Sequence, residues 1–211
     1  MTMKLWHCHN ARSLRPLWAL EEMGMGYELQ LLPFPPRLFK KDYLGVNPLG
    51  TVPFFEDGET RMTESTAICH YLVERYGRHD FGLKPDHPDY GAYLNWLYHA
   101  DATLTFPQTI VLRYSMLEPD ARKLPQAADD YAAWFIARLR LLDAHLADHQ
   151  YLCDDRFTIA DIAVAYALHL GQSLGLADRY SPEARAYLAR MQARPAFGRA
   201  AAIGAADSLF S

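Results

Sequence analysis

Glu64 and Ser65 open a helical stretch, where the unpaired N–H groups of the first turn and the helix dipole favour a bound anion. Acidic residues are also preferred in a first turn for capping alone, which accounts for Glu64 without any ligand. Upstream, Val52-Pro53 puts a residue lacking an N–H at the head of an apolar run. Taken alone, it reads most simply as a strand-start proline. Cys8, Cys69 and Cys153 offer thiol chemistry, but an odd number at wide spacing builds neither a disulfide framework nor a CxxC motif. Of nine histidines only His7-Cys8-His9 is clustered. Alternate side chains of a strand point to opposite faces, so this run chelates poorly and no metal is expected.

The elements that must position these residues fall into two grammars. In the first part, residues 4–7 read as a strand and 14–23 as a helix with Leu14, Leu17, Trp18 and Leu20 at helical spacing and Glu21-Glu22 outward. Gly24 and Gly26 stop that helix. Residues 27–32 read as a second strand, which ends in a proline-rich stretch that cannot continue a ladder. Residues 52–56 and 61–63 read as a hairpin around Asp57-Gly58, and Thr63 as the N-cap of a helix over 64–76. This order is an α/β unit whose first half is a βαβ crossover. Residues 77–88 (GRHDFGLKPDHP) read as a linker. Beyond it strand signals vanish and amphipathic stretches follow at 90–116, 127–149, 158–171 and 182–193. Thr158 to Asp161 forms a capping box ahead of the most apolar stretch, the pattern of a helix buried in a bundle. The expected division is an α/β domain over 1–79, a linker over 80–87 and an all-α domain over 88–211.

Composition narrows the function classes. A chain of 211 residues with 50% hydrophobic and 22% charged content is an ordinary globular protein. A formal net charge of -4 argues against a nucleic-acid or anionic-membrane partner, although Arg12, Arg15, Arg37, Lys40 and Lys41 crowd the N-terminal part. No apolar run approaches the ~20 residues that span a bilayer, and the first nine residues lack the blocks of a signal peptide. A cytoplasmic location is expected.

The order Asn47-Pro48-Leu49-Gly50-Thr51-Val52-Pro53, Asp57-Gly58, then Thr63-Glu64-Ser65-Thr66-Ala67-Ile68 closely resembles the glutathione transferase family. The capping box with Ile162-Ala163, and Arg194-Pro195-Ala196-Phe197, agree with its C-terminal signatures. The resemblance spans nearly the whole chain. It implies a thioredoxin-like N-terminal domain, an all-helical C-terminal domain, and a homodimer. It also implies a cis peptide bond before Pro53 that turns the Val52 backbone outward, so that the cysteinyl residue of glutathione pairs with it as an added strand. Thr51, Val52, Pro53, Glu64 and Ser65 become the glutathione-binding set. Ser65 takes the γ-glutamyl carboxylate and Glu64 pairs with the γ-glutamyl ammonium.

Transfer chemistry needs the thiolate. With a free thiol near pKa 8.5, about 3% is ionised at pH 7; lowering the pKa by about two units raises this to about three-quarters, at ~2.7 kcal/mol of differential stabilisation. The family supplies that from the loop between the first strand and first helix. Here Asn10 falls where serine-type members carry a hydroxyl, and Arg12 where cysteine-type members carry a thiol; Trp6 or His7 stands near the tyrosine position. The expectation is that Asn10, Arg12 and the first N–H groups of the helix stabilise the sulfur together. Ser13 or Cys8 enters only if the loop shifts. Cys8 also opens a thiol-transfer alternative through a mixed disulfide, and Cys69 reads as a core residue.

The resemblance places a second substrate near Trp96, Tyr98, His99, Asp101, Ala102, Thr103, Phe106, Arg113, Tyr114 and the C-terminal Phe210. His99, Thr103, Phe106 and Arg113 are the expected electrophile pocket, suited to a small aromatic or weakly polar electrophile. The expected activity is conjugation of the glutathione thiolate to that electrophile. Alternatives are a glutathione-dependent isomerase, ether-cleaving or disulfide-reducing enzyme, and a non-catalytic binding module.

Overall fold

The computed structural model of the protein describes residues 2–205. They form two compact units, residues 2–82 with 192–205, and residues 83–191. Phe210 lies outside the described residues.

The first unit opens with β1 (Met3–His7), α1 (Leu14–Met23) and β2 (Tyr27–Leu31), followed by a single turn, α2 (Pro36–Phe39). β3 (Phe54–Asp57), β4 (Thr60–Met62) and α3 (Ser65–Arg75) complete it. The sheet order is β2-β1-β3-β4, with β1 and β2 parallel and the other pairs antiparallel. A parallel pair joined through α1 is the βαβ crossover that the residue pattern implies. α1 holds this layer together because Leu14, Leu17, Trp18 and Leu20 are all buried. Each such side chain contributes about 1.5–3 kcal/mol of apolar burial.

Two of the boundaries that differ from the sequence expectation bear on function. β3 begins at Phe54 rather than at Val52, so the β1–β3 register ends with Trp6 opposite Phe54. α3 begins at Ser65, with Glu64 in extended conformation (φ -88°, ψ 116°) as its N-cap. Thr63 does not cap it.

The chain after Gln192, expected within the helical domain, groups with the first unit instead. The reason is local. In helix Pro195–Ala202 the residues Ala196, Phe197 and Ala200 are buried, and Phe197 meets Trp18 edge-on at 5.0 Å. Arg194 grips Glu22 through two bonds of 2.6 and 2.9 Å, and Arg199 reaches Glu21.

The second unit is helical among its described residues: α4 (Tyr90–Tyr98), α5 (Phe106–Leu112), α6 (Pro125–Arg138), α7 (Arg140–Leu146), α8 (Ile159–Ser173) and α9 (Pro182–Gln192). The expected single helix over 90–116 is interrupted by wider π-type turns at His99–Thr105 and Arg113–Leu117. Pro107 explains the first, because it has no N–H for the preceding turn and its ring crowds the carbonyl four residues back. Thr105 Oγ1 donates to the Ala100 carbonyl at 2.7 Å and Gln108 Nε2 to the Leu104 carbonyl at 2.9 Å. α8 is buried on nearly every side. Thr158 Oγ1 accepts from the Ala160 N–H, and Asp161 accepts from the Thr158 N–H at 2.8 Å, which closes the expected capping box. Among the described residues no helix is long and apolar enough to cross a membrane, and no group of three or more His, Cys, Asp and Glu side chains is placed to hold a metal ion.

Candidate functional site

Residues 47–53 are fixed by their own side chains. Asn47, fully buried, donates from Nδ2 to the Thr51 carbonyl at 2.9 Å and accepts from the Leu49 N–H at 3.1 Å. Tyr43 donates to the same Thr51 carbonyl at 2.7 Å. Gly50 sits at φ +60°, and a Cβ there would lie 2.8 Å from Cβ of Arg37 and 2.9 Å from Leu44. Only glycine meets both conditions. The loop delivers Thr51, exposed, and then Val52, whose side chain packs into a cluster with Trp6, Cys8, Tyr43 and Phe54. The Val52-Pro53 peptide is cis. Val52 is therefore anchored by its side chain while its backbone lies beyond the end of the ladder.

At the start of α3 the two neighbours face different ways. Glu64 is exposed, with the Thr63 hydroxyl donating to its carboxylate at 3.3 Å. Ser65 is buried, and its hydroxyl oxygen accepts from Nη1 of Arg15 at 3.0 Å. The first-turn N–H groups of α3 add a positive dipole end at the same place.

The loop between β1 and α1 is held from beneath. His7 Nδ1 lies 2.8 Å from Ser13 Oγ, which also accepts from the Cys8 N–H at 3.3 Å. Both His7 and Ser13 are fully buried. Burial, reinforced by the nearby His9, lowers the His7 imidazole to about 4, so it is neutral at pH 7. Asn10 occupies the left-handed region (φ 55°), which Asn tolerates better than other side-chain-bearing residues. Asn10 and Arg12 are partly exposed on this loop, whereas Ser13 is turned inward. Ser13 thus shapes the loop rather than presenting a hydroxyl. Cys8 is buried, points at the Pro33 carbonyl at 3.6 Å, and is pushed up to about 12 by burial. Burial raises Cys69 and Cys153 to the same range. All three are thiols at neutral pH.

Within the helical unit, a cavity of about 490 Å³ gathers three of the four expected electrophile residues, His99, Thr103 and Phe106. Its far wall comes from Trp134, Arg138 and Leu141. Phe106, Trp134 and Leu141 are about half exposed (50, 46 and 49%). The Arg138 guanidinium stacks over Trp134 at 5.5 Å. Burial and the nearby Arg138 lower the His99 pKa, and its Nε2 has no hydrogen-bond partner among the described residues. Arg113 lies outside this cavity. It pairs with Glu118 at 2.8 Å and lies over Tyr114, because the π-type turn brings Glu118 back towards it.

The model of the glutathione S-transferase N-terminal domain matches residues 1–74, and that of the C-terminal domain matches residues 111–195. The chain belongs to the glutathione S-transferase family. It is 30% identical over 200 residues to the glutathione S-transferase GstB of Escherichia coli K12, covering 91% of this chain and 94% of that one. It is 32% identical over 178 residues to glutathione S-transferase hmp2 of Hypomyces subiculosus, covering 77% and 80%. Among solved structures, a sphingomonad glutathione S-transferase complexed with glutathione matches with a TM-score of 0.79 at 26% identity, over 94% of this chain and 97% of that one.

The glutathione S-transferase signature in the sequence did not disclose three groups that the fold brings in. Arg15 stands in the sequence only as one of the basic residues that crowd the N-terminal part, yet it is fully buried beneath Ser65. The His7–Ser13 contact joins residues six apart, and only the fold of the loop reveals it. Trp134, Arg138 and Leu141 come from a stretch whose charges and apolar residues read as an ordinary helix. The only sequence signal for them was aromatic and basic residues at helical spacing, which core and surface share.

Proposed function

We propose that the chain binds glutathione through Thr51, Val52, Pro53, Glu64 and Ser65 and conjugates its thiolate to a small hydrophobic electrophile. The observation that carries this reading is the Val52 peptide, anchored by a buried side chain and lying beyond the ladder, in the same unit as a helix opened by Glu64 and Ser65. An extended cysteinyl residue pairs with Val52 as an added strand. The γ-glutamyl carboxylate takes the Ser65 end of the helix, and the ammonium takes Glu64.

The sulfur lies at the loop that carries Asn10 and Arg12. An amide donor, a guanidinium and the first N–H groups of α1 stabilise the thiolate without a titrating hydroxyl. With an aryl halide the thiolate forms a C–S bond, the halide leaves with the C–X electron pair, and the thiol proton goes to solvent. His99, Thr103 and Phe106, with Trp134 and Leu141, are the proposed electrophile pocket. The half-exposed Phe106, Trp134 and Leu141 equally suit a face where two copies meet in a homodimer. The proposed location is the cytoplasm and the proposed role detoxification.

The recycled-glutathione and binding-module alternatives remain distinguishable. A protein-thiol route through a mixed disulfide is disfavoured, since every cysteine is buried with a raised pKa. Retention on immobilised glutathione, followed by turnover of 1-chloro-2,4-dinitrobenzene, peroxides and mixed disulfides, tests the reading. Aryl-halide turnover supports conjugation. Retention without turnover leaves the binding module, and absence of retention overturns the assignment.

A further inference from the structure

Arg15 is among the largest fully buried side chains of the protein. A buried cation costs several kcal/mol unless its surroundings compensate it. It stands in α1, and its Nη1 donates to Ser65 Oγ at 3.0 Å, joining two helices fifty positions apart in sequence. It also acts on Cys69, one turn further along α3, by pulling the thiol pKa down against the larger upward effect of burial.

A guanidinium has donors and no acceptor, whereas a serine hydroxyl has one donor and two lone pairs. The Arg15–Ser65 bond therefore has one polarity. Ser65 must accept, and its own O–H is left to donate elsewhere. The same contact lets the positive charge of Arg15 polarise that hydroxyl, which strengthens its bond to an anion.

We infer that Arg15 is a positioning residue that commits the Ser65 hydroxyl to donate to the γ-glutamyl α-carboxylate, and so sets carboxylate selectivity. This rests on the proposed glutathione site. It does not require Arg15 to touch the ligand.

The test compares glutathione with 4-aminobutanoyl-cysteinyl-glycine, which lacks only that carboxylate, by calorimetry on the whole chain. Wild-type protein binds glutathione more tightly than the analogue. Arg15→Met weakens glutathione by about tenfold, the scale of one charge-assisted hydrogen bond, and moves the analogue by less than about twofold. Ser65→Ala has the same selective effect, and adding Arg15→Met to Ser65→Ala lowers selectivity no further. In turnover the loss falls on KM and spares kcat.

Equal loss for both ligands overturns the inference, because a merely structural arginine harms every ligand alike. Unchanged binding of both, or additive losses in the double variant, also overturns it. Should Arg15→Met fail to fold, Arg15→Gln, whose uncharged amide offers an acceptor as well as donors, is read by the same criterion in both Ser65 backgrounds. If wild-type protein binds neither ligand, the glutathione site itself is wrong, whereas tight wild-type glutathione binding with Arg15 variants that keep the wild-type selectivity isolates the fault to Arg15.

Discussion

Residues 47–65 and the β1–α1 loop are both part of the proposed glutathione site, and they are built in opposite ways. In the first, a chain of short-range contacts sets the backbone: Asn47 and Tyr43 hold the Thr51 carbonyl, and Gly50 turns at a positive φ with no room for a side chain. What this region offers a ligand is main chain. In the second, a buried His7–Ser13 pair supports a loop whose partly exposed side chains, Asn10 and Arg12, are what it offers. Backbone recognition constrains residue types tightly, because few residues adopt the required turns. Side-chain activation leaves the chemistry open.

The comparison breaks most visibly at Gly50. Gly50→Ala forces an L residue into the left-handed region and drives its Cβ against Arg37 and Leu44. The expected cost is about 3–4 kcal/mol from backbone strain and overpacking. Urea unfolding and retention on immobilised glutathione measure it, and both are expected to fall together. A variant that keeps full stability and full retention removes the argument that 47–53 is a rigid presenting loop.

The supporting pair beneath the second region is expected to fail with acid. His7 has a folded pKa near 4, below the ordinary histidine value of about 6.5, so the unfolded chain takes up the proton first. Its contribution is complete above pH 6.5 and is lost as pH falls from there towards 4, by about 3 kcal/mol in all. His7→Asn keeps a side-chain amide near Ser13 and has no titration in that window. The stability difference between wild type and His7→Asn is expected to change by that amount between pH 7 and pH 4. A pH-independent difference places the proton elsewhere.

These two regions also show why the sequence is informative about one and quiet about the other. Asn47, Gly50 and Pro53 stand in order along one short segment, each tied to a local bond or turn. The succession of strands and helices in the first unit and the capping box at Thr158 were legible for the same reason. The boundaries that moved depended on tertiary contacts. The β1–β3 pairing ends at Trp6–Phe54, short of Val52, and residues 192–205 group with the first unit because Phe197 and Arg194 find α1. Arg15 is the sharpest case. Nothing in its neighbourhood along the chain announces that a cation will be buried there.

The proposed activating loop gives a smaller effect. Asn10→Ala and Arg12→Ala are each expected to raise the pKa of bound glutathione by about one unit, the loss of one hydrogen bond or one nearby charge to the sulfur. Thiolate absorbance near 240 nm gives the pKa directly. At pH 6.5 the turnover of an aryl halide falls by up to about tenfold, and at pH 9 most of that loss disappears because the thiolate forms unaided. Ser13→Ala, in contrast, acts on stability through His7 and leaves the thiol pKa in place. An unchanged pKa in both the Asn10 and Arg12 variants places activation elsewhere.

The smallest expected effects lie in the helical unit, where they separate the two uses of the Phe106–Trp134–Leu141 face. Trp134→Ala removes a wall of the cavity and the surface on which Arg138 stacks. If the face binds the electrophile, KM for an aryl halide rises about fivefold, or ~1 kcal/mol, and the dependence on electrophile size weakens. If it is where two copies meet, sedimentation shows the change and KM is spared. Arg113→Ala is the internal control. Its guanidinium is engaged by Glu118 and Tyr114 outside the cavity, and exposed pairs of this kind contribute about 0–1 kcal/mol. KM is therefore expected to stay within about twofold for Arg113→Ala. A large rise would mean that the electrophile lies near the turn after α5 instead, and that the Trp134 cavity serves association alone.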